Sequence, residues 1–450
     1  MKVTIIQSYQ LDTEGIPIRY KKMFIPFLTT LTLAGMTPSG VDIKLIDASV
    51  DDIDYDEKTD LVAITAQTAQ ITGAYKISGE FRKRGIKTIV GGIHASMCPE
   101  EAALHFDAVC IGEAEDLWEE ILNDARNKNL KRLYKAQAHP DLSKLALPRF
   151  DLLNMKKYLI PPMARTPLLP IQATRGCPHK CSFCAVNVYM GNRIRKKPIA
   201  HVLKEIEFAN PSRFVFVDDN IAADPAYSRE LFKALIPMKL RWACQMSTTI
   251  RNHPDLIELA AEAGCHENFM GIESISADTL KYINKGFNPT EDYKELFRKL
   301  KEVGILPQIA FIFGLDTDTI ESIKHTMDVM MQWDINYVYI NLLAPLPGTV
   351  LREQLEKEGR VIEKDWARYD GSWITVNPKN MTADELINLY WEAYERFYTL
   401  GNAFRKVWRF RKEYVKFFPR DNAIEELFFS IGDYLAVRKQ NQPFTLGLRI

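Results

Sequence analysis

Three cysteines lie close together in one short segment and are the residues best suited to hold a metal centre. Cys177, Cys181 and Cys184 belong to the run RGCPHKCSFC, with three residues between the first two cysteines and two between the last two. Each iron of a four-iron cubane takes one thiolate, so three thiolates leave the fourth iron open for a ligand. An open iron is typical of a catalytic cluster, whereas an electron-transfer cluster has a full set of protein ligands.

Zinc is the alternative occupant of this segment. A structural zinc site takes four ligands, usually supplied as two groups from separate elements. His179 is the local candidate for the fourth ligand, but it lies between cysteines that a compact loop already uses, and no second Cys/His pair is present. The spacing favours an iron–sulfur cluster. Zinc and ordinary core cysteines are the two alternatives.

Regular elements must position this segment. Several near-continuous apolar runs along the chain are typical of parallel strands that are buried on both faces of a sheet. Five predicted strands in the first part of the chain cover residues 2–6, 42–46, 61–65, 88–90 and 108–111. Six more cover residues 168–174, 213–217, 240–245, 267–272, 307–313 and 337–342. The cysteines follow the first strand of the second set, at the edge where ligands of α/β folds bind.

These strands alternate with amphipathic helices, which predicts an α/β fold. The predicted parts are a doubly wound, Rossmann-like domain (1–138), a proline-rich linker (139–167), a second α/β domain (168–378) and a helical C-terminal region (379–450). Six βα units are too few to close an eight-stranded barrel, so we expect an open, partial (β/α)6 barrel. Thr382 and Glu385 form the pattern of a capping box where the helical region begins.

Composition argues against several classes of protein. The 58 lysines and arginines balance the 58 aspartates and glutamates, so we expect no nucleic-acid partner. The seven cysteines are too few for a disulfide scaffold, which predicts a cytoplasmic location. Residues 23–41 are uncharged and about long enough to cross a bilayer, but their prolines, glycines and threonines predict a loop and a buried helix. No transmembrane segment is expected.

The cysteine segment resembles the C-x-x-x-C-x-aromatic-C signature of radical S-adenosylmethionine (SAM) enzymes, with Phe183 at the aromatic position. The resemblance implies that Cys177, Cys181 and Cys184 hold a [4Fe–4S] cluster whose open iron binds SAM. Reduction of SAM then releases a 5′-deoxyadenosyl radical, which abstracts hydrogen from an unactivated carbon. The resemblance extends over the whole second domain and implies a partial barrel of six strands.

Further SAM contacts are implied where successive strands end. Many members carry Gly-Gly-Glu after the second strand, but Asp218 and Asp219 stand there in this chain, and which of the two receives the SAM amino group is open. The other implied SAM contacts lie after the fourth and fifth strands: Gly271, Glu273, Ser274 and Gly314. The alternative for each is a solvated loop acid or a turn glycine.

Residues 1 to about 135 resemble the cobalamin-binding domain that precedes one branch of radical SAM enzymes. The implied cobalamin contacts lie at predicted strand ends: Thr68, Gly91, Gly92, His94, Gly112 and Glu113. The cobalt-ligating Asp-x-His-x-x-Gly motif of other cobalamin proteins is absent, so the resemblance implies cobalamin without a protein histidine on cobalt. His94 is either a cofactor contact or a packed turn residue.

The two resemblances together imply a cobalamin-dependent methyltransferase that acts on an unactivated carbon. The alternatives are radical SAM chemistry without methyl transfer (carbon–carbon coupling, cyclisation or oxidation) and a non-catalytic metal- or cofactor-binding module. The implied partners are a small-molecule or lipid-like substrate and a reductant such as flavodoxin or ferredoxin. No catalytic acid or base is assigned.

The C-terminal region contains an apolar helical face surrounded by lysine and arginine. Its members are Phe404, Val407, Trp408, Val415 and Phe418. We expect this helix to cover the open barrel while the basic side chains stay in solvent. The alternative is a basic amphipathic helix that contacts a membrane surface or a lipid-like substrate.

Overall fold

The computed structural model describes residues 1–159, 167–288, 293–333, 335–409, 421–443 and 447–449. The N-terminal part contains seven strands: β1 (Lys2–Gln7), β2 (Tyr20–Met23), β3 (Asp42–Asp47), β4 (Leu61–Thr65), β5 (Lys87–Gly91), β6 (Ala108–Ile111) and β7 (Leu133–Lys135). Its helices are α1 (Leu28–Met36), α2 (Ile71–Lys83), α3 (Ile93–Met97), α4 (Pro99–His105) and α5 (Trp118–Arg126). The apolar stretch at 23–41 is a strand end, a loop and helix α1, as the sequence predicted.

Six of these strands form one parallel sheet in the order β3-β1-β4-β5-β6-β7. Its strands are buried on both faces, since separate apolar clusters cover each side. The strand order reverses between β1 and β4, which is the switch point where doubly wound folds bind ligands. The predicted doubly wound domain is confirmed.

The second part contains β8 (Leu169–Ile171), β9 (Thr174–Arg175), β10 (Arg195–Lys196), β11 (Arg213–Phe216), β12 (Arg241–Gln245), β13 (Cys265–Glu273), β14 (Leu306–Phe313) and β15 (Tyr337–Leu342). Its helices are α6 (Ala185–Tyr189), α7 (Ile199–Ala209), α8 (Pro225–Leu235), α9 (Pro254–Glu262), α10 (Ala277–Tyr282), α11 (Tyr293–Glu302), α12 (Ile320–Gln332) and α13 (Val350–Lys357). Six strands pair in parallel in the order β15-β14-β13-β12-β11-β8. In the described residues β8 and β15 stay at the two edges, which confirms an open, six-stranded barrel.

Large aromatic side chains hold the barrel wall against its helices. Trp242 of β12 is fully buried and contacts the rings of Phe214, Phe216 and Phe232. Its indole N–H donates to the Ala263 carbonyl at 2.8 Å, so the one polar atom of the ring is paired. This packing fixes the strands whose carboxyl ends form the candidate site.

The segment between the two domains packs on both of them. Its described part contains three short 3-10 turns, and Phe150 in the second of them joins the barrel core. Tyr158 in the third donates to Asp47 at the end of β3. The domain limits given above stay a prediction.

The C-terminal region contains α14 (Ala383–Phe397), α15 (Leu400–Arg409), α16 (Asp421–Arg438) and β16 (Gly447–Arg449). Thr382 and Glu385 cap α14 reciprocally, as predicted. Strand β16 pairs with β2 in antiparallel fashion, which joins the two terminal parts of the chain. Across the described residues, no helix has both the length and the apolar character needed to span a membrane.

Helix α15 differs from the prediction. Phe404 and Trp408 are 64% and 62% exposed, whereas Lys406 is 4% exposed. The Lys406 ammonium lies 4.8 Å from the ring centre of Tyr337 and 4.7 Å from that of Tyr398, so cation–π contacts hold it inside. The expectation that every basic side chain of this helix stays in solvent is therefore wrong. Val415 and Phe418 lie outside the described residues.

Candidate active site

A cavity of about 450 Å³ opens at the carboxyl ends of the barrel strands. Cys177, Cys181 and Cys184 all line it, together with side chains at or just after the ends of β11, β12, β13, β14 and β15. Strand-to-helix loops converge at this edge, which is where (β/α) barrels bind their ligands. The cysteine motif therefore lies at the ligand-binding edge of the fold.

The cysteine segment is a loop between β9 and α6 that backbone contacts hold in place. Gly176 has a φ of +84°, and a Cβ there would lie 2.4 Å from the Arg193 carbonyl oxygen, so glycine is required. The Ser182 N–H donates to the Ile283 carbonyl, and the Leu351 N–H donates to the Ser182 carbonyl, both at 3.0 Å. The turn after α10 and the first turn of α13 thus fix the middle of the cysteine segment.

The three thiols fit an iron–sulfur cluster better than a single zinc ion. Each cysteine is half-buried and free of a disulfide. Among the described residues, three His, Cys, Asp or Glu ligand atoms within 4.8 Å of one another occur in a different group, and the sulfurs of these three cysteines do not form one. A cubane spans wider separations because each sulfur binds a different iron. Burial raises the pKa of Cys177 to about 11 and that of Cys181 to about 12, so both are thiols until a metal displaces the proton.

Of the two acids after β11, one lines the cavity and the other lies beneath it. Asp219 lines the cavity and accepts a hydrogen bond from the Gly176 N–H at 2.9 Å. Asp218 is buried and accepts from the Ala173 N–H at 3.1 Å and the Thr174 hydroxyl at 2.6 Å. Burial raises the pKa of Asp218 to about 7. Asp219 is accessible to a ligand, and Asp218 joins β11 to β9.

Glu273 and Lys285 form an ion pair on the cavity wall. The Lys285 ammonium lies 2.6 Å from Glu273 Oε1 and 2.9 Å from the Gly271 carbonyl oxygen. Glu273 has a φ of +66°, a left-handed conformation whose strain is found mainly at functional sites. A carboxylate and an ammonium are the counter-charges of the amino and carboxylate groups of an amino-acid ligand. Sequence reasoning missed Lys285, which lies in the turn after α10 without a motif.

The remaining predicted SAM contacts divide into two groups. Phe183 lines the cavity, with the Lys285 ammonium 6.0 Å from its ring centre. Ser274 accepts from the Ser276 N–H at 3.1 Å, and Gly314 lies against helix α14. In the described part of the chain, neither Ser274 nor Gly314 lines the cavity, so their placement favours a structural role.

Aromatic rings form much of the cavity wall. Besides Phe183, the lining includes Phe269, Phe287 and Tyr369. The imidazole of His179 stacks on Phe287 with 3.7 Å between ring centres. Burial lowers the pKa of His179, so the ring is neutral and serves as apolar wall at neutral pH. The stacked ring of His179 is therefore part of the cavity wall.

Comparison with known proteins identifies the family. Residues 171–330 match the model of the Radical SAM superfamily, and residues 28–122 match that of the B12 binding domain. The chain is 33% identical over 357 residues to bacteriochlorophyllide d C-12(1)-methyltransferase of Chlorobaculum tepidum, which covers 77% of this chain and 76% of that protein. The chain belongs to the radical SAM superfamily.

Other comparisons agree with this assignment. Bacteriochlorophyllide d C-8(2)-methyltransferase of the same organism is 30% identical over 358 residues, covering 76% of this radical SAM chain and 79% of that protein. The solved structure of TsrM from Kitasatospora setae has a TM-score of 0.63 at 17% identity over 79% of this chain and 75% of its own. That of OxsB has a TM-score of 0.67 at 15% identity, over 97% and 72%. At such identities the two structures support the fold alone.

The family assignment confirms the predicted cofactors. A radical SAM domain uses a [4Fe–4S] cluster with SAM, and the matched B12 binding domain takes cobalamin. The protein is therefore an enzyme of the cobalamin-dependent branch of the radical SAM superfamily.

The B12 binding domain turns the carboxyl edge of its sheet toward the cavity of the radical SAM barrel. Gln10, which follows β1, donates to Asp370 on the cavity wall at 2.8 Å. Gly92 has a φ of +102°, and a Cβ there would lie 2.8 Å from a backbone carbonyl. Three further predicted cobalamin contacts lie at this edge, after β4, at the end of β5 and after β6: Thr68, Gly91 and Gly112. An edge with so few side chains lets a flat cofactor approach the backbone, which fits cobalamin.

His94 is fully buried in a contact between the two domains of this radical SAM enzyme. Its ring lies edge-on to that of Trp366, with 4.9 Å between centres, and 3.9 Å from Glu101. The Trp366 indole donates to both Glu101 oxygens at 3.0 Å, and the Tyr75 hydroxyl donates to one of them at 2.8 Å. His94, Cys98 and Glu101 bring three ligand atoms within 4.8 Å of one another. Because Glu101 already accepts from these donors, we interpret it as a domain contact, against which the His94 ring packs with both of its nitrogens lacking a hydrogen-bond partner among the described residues.

Glu113 is buried among basic side chains from the linker and the radical SAM domain. Its carboxylate accepts from Arg175 at 2.5 Å and His139 at 2.7 Å, and pairs with Arg195 at 2.8 Å. Burial acts to raise the pKa of Glu113, but Arg175 and Arg195 outweigh it and lower the pKa. Glu113 is therefore ionised and engaged with protein groups, a role that its position after a strand did not predict.

Proposed function

We propose that this enzyme transfers a methyl group to an unactivated carbon of a largely apolar small molecule, with cobalamin as the methyl carrier. The observation that carries the proposal is that the cysteines line the cavity, and that Gln10 of the B12 binding domain donates to Asp370 on the wall of the same cavity. The methyltransferase names of the two Chlorobaculum tepidum relatives support the same class of reaction.

Each side chain on the cavity wall has a defined role in this proposal. Cys177, Cys181 and Cys184 would hold three irons of a [4Fe–4S] cluster and leave one for the amino-acid end of SAM. When bound, the cofactors supply a 5′-deoxyadenosyl radical and a transferable methyl group. Asp219 and the Glu273–Lys285 pair would bind the amino and carboxylate groups of SAM through charge-assisted hydrogen bonds.

The cavity wall also supports the choice of an apolar substrate. Phe183, Phe269, Phe287 and Tyr369 offer ring faces that bind apolar surface and keep water away from a reactive intermediate. Such a wall holds the substrate mainly by burying apolar area, so its affinity depends on shape and size. The backbone at Gly91, Gly92 and Gly112 would hold cobalamin, which would supply the methyl group.

Radical formation consumes one electron, so the enzyme needs a reductant. We assign this role to a small flavodoxin or ferredoxin. The seven cysteines are all free thiols, which agrees with the reducing cytoplasm in which such donors work.

The test is anaerobic reconstitution of wild type, Cys181→Ala and, as control, Cys98→Ala, which removes a thiol outside the cavity. Wild type and the control should contain about four irons per chain and bind cobalamin, and Cys181→Ala should lose the cluster. With SAM, reductant and a panel of apolar acceptors, we expect 5′-deoxyadenosine, S-adenosylhomocysteine and a methylated product.

Other outcomes would redirect the assignment. Deoxyadenosine without methyl transfer to any acceptor would favour carbon–carbon coupling, cyclisation or oxidation. Zinc in place of iron and sulfide would overturn the proposal.

A further inference from the structure

We propose that Glu113 is a positioning residue that ties both ends of the cysteine loop to the B12 binding domain. The inference rests on the proposed function, because the loop is the one that would hold the cluster. Glu113 Oε1 lies 2.5 Å from the Arg175 guanidinium, and Oε2 lies 2.8 Å from that of Arg195. One carboxylate of the N-terminal domain thus binds two arginines of the barrel.

These two arginines mark the ends of the loop. Strands β9 and β10 pair in antiparallel fashion, with Arg175 directly opposite Arg195. The chain between them, residues 176–194, contains all three cluster cysteines. A carboxylate that binds both arginines therefore closes the base of the loop and attaches that base to the other domain.

The contact is buried, which makes it costly to leave incomplete. The side chains of Glu113, Arg175 and Arg195 are 2%, 8% and 10% exposed. Glu115 Oε1 also accepts from Arg175 at 2.6 Å, so two carboxylates face the two guanidinium groups. Loss of the Glu113 charge would remove a partner from the buried guanidinium groups of Arg175 and Arg195. Water or another anion would then have to compensate their charge.

A separate contact reaches the far side of the cysteines. The Tyr189 hydroxyl, at the end of α6, donates to the Gly112 carbonyl at 3.2 Å. Residues 112–115 therefore contact three positions around the cysteines: Arg175 before the first cysteine, Tyr189 after the last one, and Arg195 where the chain returns to β10. The position of the loop relative to the B12 binding domain depends on this short segment.

The first experiment measures amide hydrogen exchange in Glu113→Gln and in a matched control, Glu57→Gln. Glu57 also binds two cations, Lys2 and Lys44, but at the amino end of the same sheet. We expect Glu113→Gln to speed exchange in residues 176–194 at least about tenfold and to leave β4 and β5 unchanged, because only the loop loses its anchor. Glu57→Gln should leave the loop unchanged. Equal exchange of the loop in wild type and Glu113→Gln would overturn the proposal, whether or not the protein has the proposed activity.

The second experiment separates positioning from a purely structural role. Reconstituted Glu113→Gln should keep its iron content and its KM for SAM, although its melting temperature should fall below that of Glu57→Gln because its contact is the more buried one. Its kcat for release of 5′-deoxyadenosine should fall at least about tenfold, and the change that SAM causes in the electron paramagnetic resonance spectrum of the reduced cluster should weaken. An unchanged kcat and spectrum would reject positioning, whereas a wild type without iron or deoxyadenosine would reject the proposed function instead.

A further variant covers the case in which Glu113→Gln fails to fold. Arg195→Gln removes one of the two arginine contacts and leaves Arg175 with Glu113 and Glu115. It should speed exchange mainly in the C-terminal half of the loop, next to β10. The same exchange in both halves as in wild type would also overturn the proposal.

Discussion

The Glu273–Lys285 pair shows why two buried charges can serve binding more than stability. Both side chains are about nine-tenths buried, and the cost of removing each charge from water offsets most of their attraction. What the pair supplies is preorganisation, because a carboxylate and an ammonium already point at the position of a zwitterionic ligand. The strained backbone of Glu273 is consistent with that use.

We predict that Lys285→Met lowers the free energy of unfolding by about 3–5 kcal/mol, because Glu273 is left as an uncompensated buried charge. The double variant Lys285→Met/Glu273→Gln should recover most of that loss, since no ion is then buried alone. Denaturant unfolding of the three proteins checks the stability, and equilibrium dialysis of reconstituted protein should show weak SAM binding in both variants. A double variant as unstable as the single one would contradict this account.

The buried carboxyl group of Asp47 predicts how the stability of the folded protein depends on pH. Asp47 is buried at the end of β3, where Tyr158 donates to it at 3.1 Å, and burial raises the pKa of Asp47 to about 6. Between about pH 4 and about pH 6 the folded protein keeps the Asp47 proton, which the unfolded chain loses near pH 4. The contribution of Asp47 to stability is therefore complete below about pH 4 and is lost as pH rises through about 6. The loss reaches at most about 1.4 kcal/mol per pH unit.

The variant Asp47→Asn is the control for this effect, because the asparagine side chain does not titrate. Its melting temperature relative to wild type should rise between about pH 4 and pH 7 and then level off. Thermal melts of both proteins across that range check the prediction, and a constant difference between them would disprove it.

At the residue scale, the sequence predicts the cysteine loop and misses the partners that come from elsewhere. The C-x-x-x-C-x-x-C spacing is local, so its chemistry can be read directly from the sequence. Lys285 reaches Glu273 from another turn, and Arg175 and Arg195 reach Glu113 from another domain. Such long-range contacts depend on the packing of elements, which no short motif contains.

Besides covering the barrel, helix α14 supplies hydrogen-bond partners to backbone groups at the edge of β15. The Tyr394 hydroxyl donates to the Ile340 carbonyl at 2.8 Å and accepts from the Ile340 N–H at 2.9 Å. The Tyr398 hydroxyl does the same for Val338, at 2.9 and 3.1 Å. An edge strand otherwise presents unpaired backbone groups that invite aggregation.

We predict that Tyr394→Phe lowers the free energy of unfolding by about 1–3 kcal/mol, because the Ile340 N–H and carbonyl lose a partner in a buried place. Tyr390→Phe, one turn earlier on the same helix, is the control, since among the described residues its hydroxyl bonds to the Gln442 amide and to the Tyr394 hydroxyl but not to the backbone of β15. Denaturant unfolding should show a clearly smaller loss for the control. Equal losses would mean that ring packing, not the edge contact, is responsible.

At the element scale, apolar runs predict where strands lie but not which distant strand each one meets. Every predicted strand of the two sheets is present within a few residues, since buried parallel strands have a strong local pattern. The pairing of β2 with β16 was not predicted, because these short strands lie at opposite ends of the chain. The burial of Lys406 was missed for the same reason, since its aromatic partners come from β15 and the end of α14.

Across the whole molecule, separate polar contacts hold the B12 binding domain against the radical SAM barrel. Gln10 binds Asp370, Glu101 binds Trp366 and Glu113 binds two arginines. Each pair joins the carboxyl edge of the B12 binding domain to the mouth of the barrel. Several small contacts at separate points fix an orientation better than one large contact at a single point.

We predict that Trp366→Phe loosens this arrangement, because the ring stays while Glu101 loses its indole donor. The loss of a hydrogen bond to a charged group should cost about 1.5–3 kcal/mol and should speed amide exchange in α3 and α4. Trp373→Phe, at a residue that is 38% exposed, is the control and should change neither. Iron content should be the same in both variants, and unchanged exchange in α3 and α4 of Trp366→Phe would contradict the prediction.

The open wall of the barrel has a consequence for the size of molecules it can admit. In a closed barrel the strand number and stagger fix the diameter, and any widening breaks backbone hydrogen bonds. Here β15 ends the wall and meets a helix through two tyrosine hydroxyls, so on that flank no strand pairing within the described ranges fixes the width of the barrel. A bulkier acceptor then requires new side chains on one helix, not a redesign of six strands.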